Sequence, residues 1–185
     1  IKEKPIFSGR STAIGVLQNG VILIGTPTGL YLKQSLDHNA VKISDTLIDR
    51  CNITDIQPLP DGGALIGTNA LGLLHYNTSG RIREIQKEKL NHVRSIYRQN
   101  DSTYWTSTNE GVYAFTFGPD WAVSEVSHYT FYDGLPSNSA TSVYVYQDTA
   151  YVATSDGLGI LPLKDSTLLQ MAPPDVYLNT LQTDK

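Results

Sequence analysis

The four histidines are the residues of this chain that could most readily bind a metal ion or transfer a proton. They are His38, His75, His92 and His128. None stands at a metal-ligand spacing from a second histidine or from Cys51, the single cysteine. We therefore expect the histidines to be solvated or hydrogen-bonded and Cys51 to be a small buried apolar residue. The chain is expected to bind no metal and no other cofactor.

Aspartates recur near turns, where a glycoside hydrolase could gather two carboxylates at the axis of its fold. Asp61, Asp101 and Asp148 occupy hairpin positions at which Asp commonly stabilises a turn, and Asp156 has a similar setting. The chain also lacks a Gly-x-Ser-x-Gly motif, a Gly-rich phosphate loop and an EF-hand calcium loop. We therefore predict that no residue of this chain is catalytic.

The two tryptophans are better candidates for a binding role, because sugars stack on aromatic faces. Trp105 belongs to a repeating column of large apolar residues, so core packing is the favoured role. Trp121 lies outside that column, in the segment Gly118-Pro-Asp-Trp-Ala122. It is the one candidate ligand-binding side chain, with packing on the outer strand of its own repeat as the alternative.

A fourfold internal repeat determines where these side chains lie. Its anchors are Thr26, Thr68, Thr108 and Thr154, separated by 42, 40 and 46 residues. A large residue stands three places before each anchor, namely Leu23, Leu65, Trp105 and Tyr151. A small residue stands one place before it, namely Gly25, Gly67, Ser107 and Ala153. A period of about 40–50 residues is typical of β-propeller blades.

Each anchor segment is flanked by further strand patterns. An apolar strand and a turn precede it, and a third strand follows a glycine that can adopt positive φ. The anchor segments cover residues 23–31, 65–74, 105–113 and 151–160. The pattern predicts an all-β fold of four propeller blades, each with three to four antiparallel strands, and no helix. The large column should pack against the next blade, and residues 81–94 should form strand plus loop.

Composition limits the partners of the chain. Its formal net charge is −4, and its fourteen Lys and Arg residues are scattered along 185 positions. A nucleic-acid interface needs clustered positive charge, so we expect no nucleic acid to bind. No apolar run approaches the length of about 20 residues that spans a bilayer. Because the chain opens on Ile1, we expect it to be a piece of a longer protein.

The anchor motifs resemble the two-component regulator propeller repeat, which reads roughly Gly-Leu-Pro-x-Asn, a hairpin and then Leu-Trp-Ile-Gly-Thr-x-x-Gly-Leu. Gly134-Leu-Pro-Ser-Asn138 followed by Tyr151-Val-Ala-Thr154 matches it closely. Leu23-Ile-Gly-Thr26 and Leu65-Ile-Gly-Thr68 carry Leu in the Trp place, whereas Trp105-Thr-Ser-Thr108 keeps the Trp. The resemblance covers residues 10–169.

This resemblance implies a function that composition and spacing do not. Propellers of this family form, with a following Y_Y_Y-type β-sandwich, the periplasmic sensor of hybrid histidine kinases embedded in the inner membrane of Bacteroidetes. Such a sensor responds to polysaccharide fragments and controls transcription. The implied partners are an oligosaccharide, the rest of the propeller and its sandwich, and a second copy of the parent protein in a homodimer.

The same resemblance suggests the domain boundaries. Residues 1–171 would be four blades of a larger propeller of the seven-bladed type, and residues 172–185 would be a linker and the first strand of the sandwich. Two other interpretations stay open. One is a non-catalytic interaction scaffold or secreted glycan-binding protein, and the other, less favoured, is a propeller enzyme that acts on glycans.

Overall fold

Four antiparallel sheets follow one another along the chain, one for each repeat. The computed structural model describes residues 7–35, 37–85, 90 and 92–163. The first sheet contains β1 (Ala13–Val16), β2 (Ile22–Thr26), β3 (Gly29–Lys33) and β4 (Val41–Lys42). The second contains β5 (Ile53–Pro58), β6 (Ala64–Thr68), β7 (Leu73–Tyr76) and β8 (Ile82–Glu84). The third contains β9 (Ser95–Arg98), β10 (Thr103–Thr108), β11 (Gly111–Phe117) and β12 (Val123–Tyr129).

The fourth sheet has three strands within the described residues, β13 (Ala140–Tyr146), β14 (Thr149–Thr154) and β15 (Gly157–Pro162). In every sheet the strands pair in chain order. The described helical segments are two short 3₁₀ turns, Pro119–Trp121 and Phe131–Asp133. The all-β prediction of four propeller blades is therefore confirmed, and each sheet is called a blade below. The proposed boundary at residue 171 and the segment 172–185 lie outside the described residues.

The anchor threonines occupy equivalent positions, as the repeat predicts. Thr26, Thr68, Thr108 and Thr154 each end the second strand of a blade. Each Oγ1 donates to the carbonyl oxygen of Gly29, Gly72, Gly111 or Gly157, at 2.8, 3.0, 2.9 and 2.8 Å respectively. Each also accepts a backbone N–H from within the same turn. The threonine recurs because its hydroxyl group closes the hairpin to the third strand.

The glycine of each such hairpin is required by its backbone conformation. Gly111 has φ of 108°, in the left-handed region, and a Cβ there would lie 2.1 Å from the carbonyl oxygen of Tyr129. Neither condition tolerates a side chain.

The cores lie between successive blades rather than within them. Leu23 is fully buried and packs with Ile53 and Ile56 of blade 2, and Trp105 packs with Val143 of blade 4. The large column therefore contacts the next blade in blades 1 to 3, as predicted, and the packing of Tyr151 in blade 4 stays a prediction. A Cβ on Gly25 would approach the Ile53 side chain to 2.6 Å, so the small column admits an apolar side chain of the neighbouring blade.

Hydrogen bonds between a side chain and the backbone also cross each interface between blades. Thr12 Oγ1 donates to the carbonyl oxygen of Ile53, and Tyr97 OH donates to that of Val145 at 3.2 Å. Between blades 2 and 3, Asp55 Oδ2 accepts the Ile96 N–H at 2.6 Å. Burial raises the pKa of Asp55, while its backbone hydrogen bonds oppose that rise.

Blade 4 exposes an apolar column that the other blades bury. Leu30, Leu73 and Val112 pair with the small-column residues of blades 1–3 and are at most 2% exposed. Leu158 holds the same position in blade 4 and is 61% exposed, and Ile160 beside it is 56% exposed. Within the described residues, this face has no neighbouring sheet. No helix among the described residues is long and apolar enough to cross a membrane.

Candidate ligand site

A cleft of about 440 Å³ lies between blades 1 and 2. It is at the end of the blades where the first strand turns into the second and the third strand turns into the fourth. We call it the open cleft. Its polar lining comes from hairpin residues, and its floor contains Leu32 and Tyr76. The polar residues are Gln18, Asn19, Gln34, Asp61, Thr78 and Ser79.

Turn chemistry fixes the rim of this cleft. Gln18 Nε2 donates to the carbonyl oxygen of Pro60 at 2.6 Å, which joins the first hairpins of the two blades. Asp61 Oδ1 accepts the Gly63 N–H at 2.8 Å within the hairpin of blade 2 that joins β5 to β6. Asp61 therefore stabilises its turn, as the sequence predicts, while it also lines the cleft.

The lining suits a neutral, hydroxyl-rich ligand. Among the described residues that line the cleft, one is a carboxylate, five carry neutral amide or hydroxyl groups besides the Tyr76 phenol, and none is Lys or Arg. Amides and hydroxyls can both donate and accept hydrogen bonds, and the apolar floor can receive a C–H face. Sequence reasoning missed this cleft, because its walls come from hairpins about forty residues apart that carry only turn signals.

The predicted ligand-binding side chain, Trp121, lies in a different groove, between blades 2 and 3. Its ring is half-buried and packs on Tyr104 and Phe117, at centroid distances of 5.7 and 5.5 Å. Its Nε1 donates to Asp61 Oδ2 at 2.5 Å. Trp121 thus fills this groove, and its role toward a ligand stays a prediction.

His75 corrects one expectation from the sequence. It is 4% exposed, and neither ring nitrogen has a hydrogen-bond partner, so it is neither solvated nor hydrogen-bonded. It lies on β7 against Trp121, with ring centroids 5.7 Å apart. Burial lowers the pKa of His75, Arg83 lowers it further, and Asp61 opposes the change. The expectation was wrong because sequence spacing cannot show that the Trp121 loop covers this position.

The other histidines have ordinary surroundings. His38 Nδ1 lies 2.6 Å from Ser35 Oγ, and His128 Nε2 lies 2.7 Å from the Glu110 carbonyl oxygen. His92 is exposed. Within the described ranges, no three His, Cys, Asp or Glu side chains come together as a metal site would require.

Cys51 and Trp105 are core residues. Cys51 is a free, buried thiol whose pKa is raised by burial. Trp105 is 2% exposed, donates from Nε1 to Gln99 Oε1 at 2.7 Å and stacks on Tyr129. Neither is available to a ligand.

Comparison with known proteins supports the fold. No protein-family model matches the sequence, and no curated protein matches it. A solved structure named as the extracellular domain of a hybrid two-component system of B. thetaiotaomicron is 21% identical, with a TM-score of 0.67 over 82% of this chain. A second domain of the same description and organism is 16% identical, with a TM-score of 0.64 over 82%. This chain spans 21% of the length of each of them.

Enzymes share the fold as well. Virginiamycin B lyase of Staphylococcus aureus is 14% identical, with a TM-score of 0.58 over 85% of this chain and 56% of its own. At these identities the likenesses show the fold and not the activity. The chain is thus similar to a segment of larger β-propeller structures.

Proposed function

We propose that this chain is a non-catalytic segment of the extracytoplasmic sensor domain of a hybrid two-component histidine kinase, and that its ligand is a neutral oligosaccharide. The observation that carries the proposal is the open cleft, with neutral hydrogen-bonding groups above an apolar floor. The likeness to extracellular domains of hybrid two-component systems supports the sensor context. The periplasm, control of transcription and homodimerisation of the parent protein belong to the same proposal.

Calorimetry on the 185-residue chain tests the binding role. Neutral oligosaccharides should bind more tightly than uronic-acid oligosaccharides, because Asp61 lies in the cleft and no described lining residue is cationic. Thr78→Trp should abolish binding by filling the cleft. Glu125→Trp, exposed on outer strand β12, is the matched control and should bind as wild type does. Equal binding by the Thr78→Trp variant, or hydrolysis of any sugar, would contradict the proposal.

The second candidate, an interaction scaffold, is favoured by the exposed face of blade 4. Leu158 and Ile160 are exposed there, although the equivalent column is buried in the other blades. We propose that a further sheet of the parent protein covers them. A longer chain of the parent should then protect the β15 amides from hydrogen exchange more strongly than this chain does. Unchanged protection would contradict that packing.

A further inference from the structure

The groove between blades 2 and 3 is filled at the position where the groove between blades 1 and 2 is open. Leu32 pairs with Leu23, and His75 pairs with Leu65, so the two occupy the same place in successive blades. Leu32 lines the open cleft, whereas His75 lies against the Trp121 ring. The polar residue therefore lies in the covered groove and the apolar one in the open cleft.

The covered groove leaves polar atoms without partners. His75 is 4% exposed and Tyr104 is fully buried, yet the His75 ring nitrogens and the Tyr104 hydroxyl make no hydrogen bond. Buried polar groups are nearly always bonded, and leaving them unbonded destabilises the fold. A groove that only had to hold an indole would be better built with leucine and phenylalanine. The polar atoms are explained if another molecule can take the place of the indole.

The segment that carries Trp121 has an unfavourable backbone conformation. Asp120 and Trp121 have φ of 56° and 57°, in the left-handed region that residues with side chains rarely adopt. The segment connects β11 to β12, and the Gly118 N–H closes it by donating to the Ala122 carbonyl oxygen at 2.8 Å. Its bonds to blade 2 are made by side chains, from Arg83 Nη2 to the Asp120 carbonyl oxygen and from Trp121 Nε1 to Asp61. Trp121 can therefore swing outward while the ladders of blade 3 stay paired.

We propose that Trp121 is a displaceable cover over a second ligand site, formed by Asp61, His75, Tyr104 and Phe117, that takes a neutral sugar ring. This site shares Asp61 with the open cleft, but its other residues lie outside that cleft, so it rests on different observations from the function proposed there. When the indole leaves, Asp61 Oδ2 loses its N–H donor and can accept a hydrogen bond from a sugar hydroxyl. His75 and the Tyr104 hydroxyl can each donate or accept, and the aromatic rings can stack on the C–H face of the sugar.

Trp121 itself reports on the opening. The chain has two tryptophans, so Trp105→Phe leaves Trp121 as the single tryptophan, which can be excited apart from the tyrosines. Protonation of His75 requires contact with water, and its pKa is lowered while it is buried. The covered form is thus most stable above the ordinary histidine pKa of about 6.5 and loses stability as the pH falls. Of the charged groups near His75, Arg83 adds to this lowering and Asp61 opposes it.

Acrylamide quenching of Trp121 should therefore rise severalfold between pH 8 and pH 5 in the Trp105→Phe protein. Adding His75→Leu, which installs the residue found in the equivalent place of blade 1, should remove that response and raise the urea midpoint. A quenching constant that does not change with pH, or a urea midpoint lowered by His75→Leu, would overturn the proposal.

Methyl glycosides of the common neutral hexoses are the probes for the ligand class. One of them should shift Trp121 emission to the red and increase its quenching, and Tyr104→Phe should weaken that binding about tenfold or more. Thr78→Trp, which fills the open cleft, should leave the response intact. Binding with unchanged Trp121 emission, or exposure of Trp121 by acid but by no sugar, would overturn the sugar assignment.

Discussion

Replacement of Trp105 by alanine should strongly destabilise the chain, because it empties a core position between blades 3 and 4. The side chain is 2% exposed and packs with Val143 and other residues of blade 4. Loss of a buried Trp side chain costs about 3–5 kcal/mol in transfer and cavity energy. Its hydrogen-bond partner, Gln99, is exposed and can bond to water instead, so the cost comes mainly from packing.

For a domain of this size, that loss corresponds to a fall in melting temperature of about 6–20 °C. The measurement is urea unfolding followed by circular dichroism, with Trp121 fluorescence as a second probe in the neighbouring groove. Because blades depend on their neighbours, both probes should shift together. Trp105→Phe keeps an aromatic ring in the core and should cost about half as much or less.

A free energy of unfolding within about 1 kcal/mol of wild type for Trp105→Ala would refute the reasoning, because truncation of a core aromatic cannot cost so little unless the cavity collapses. Separate transitions of the two probes would instead refute the coupling between blades.

Three further changes test other parts of the fold. Thr68→Val removes a buried hydroxyl that closes its hairpin, and it should lower the free energy of unfolding in urea by about 1–3 kcal/mol. Thr154 is more exposed, so Thr154→Val should cost less than about 1 kcal/mol. Equal costs for the two variants would be evidence against burial as the cause. Burial raises the pKa of Asp55 above the unfolded value of about 3.8, so its favourable contribution is complete below that pH and is lost as pH rises through the folded pKa. Wild-type stability relative to Asp55→Asn should therefore fall between pH 3.5 and 7, and a flat or rising difference would contradict the assignment. Leu73→Ala should lower the free energy of unfolding by about 2–5 kcal/mol, and Leu158→Ala should lower it by less than about 0.5 kcal/mol. Equal costs would mean that Leu158 is covered in solution.

The architecture could be predicted from the sequence because each blade repeats the same local interactions. A threonine closes a hairpin, a glycine follows at positive φ, and a large and a small residue alternate toward the next blade. These requirements are local, so their residue types recur every forty positions or so. The exact role of the threonine hydroxyl was not predicted, because a strand-favouring residue at a strand end explains the same pattern without it.

The two candidate sites could not be predicted from the sequence, because each is formed by residues of two neighbouring blades. The open cleft combines Gln18 of one hairpin with Thr78 of the next blade, and neither residue differs in kind from an ordinary turn residue. The burial of His75 depends on a loop that begins more than forty positions later and enters the groove through two left-handed residues. A sequence pattern that places Trp121 outside the columns identifies the loop as unusual but does not indicate the groove that it enters.

The two grooves differ at one position of the repeat, and this difference distinguishes the two candidate sites. Leu32 and His75 hold one position, and the fold tolerates either because the third strand of each blade packs through its backbone pairing and its neighbouring apolar column. The position is therefore free to vary without loss of the blade. Where it is apolar, the groove beside it is open and lined by hairpin polar groups; where it is polar, an aromatic loop residue covers it. If stability alone determined the sequence, the covered groove would contain apolar residues. The buried polar pair His75 and Tyr104 is therefore the clearest departure of this chain from the pattern that would stabilise its repeat most.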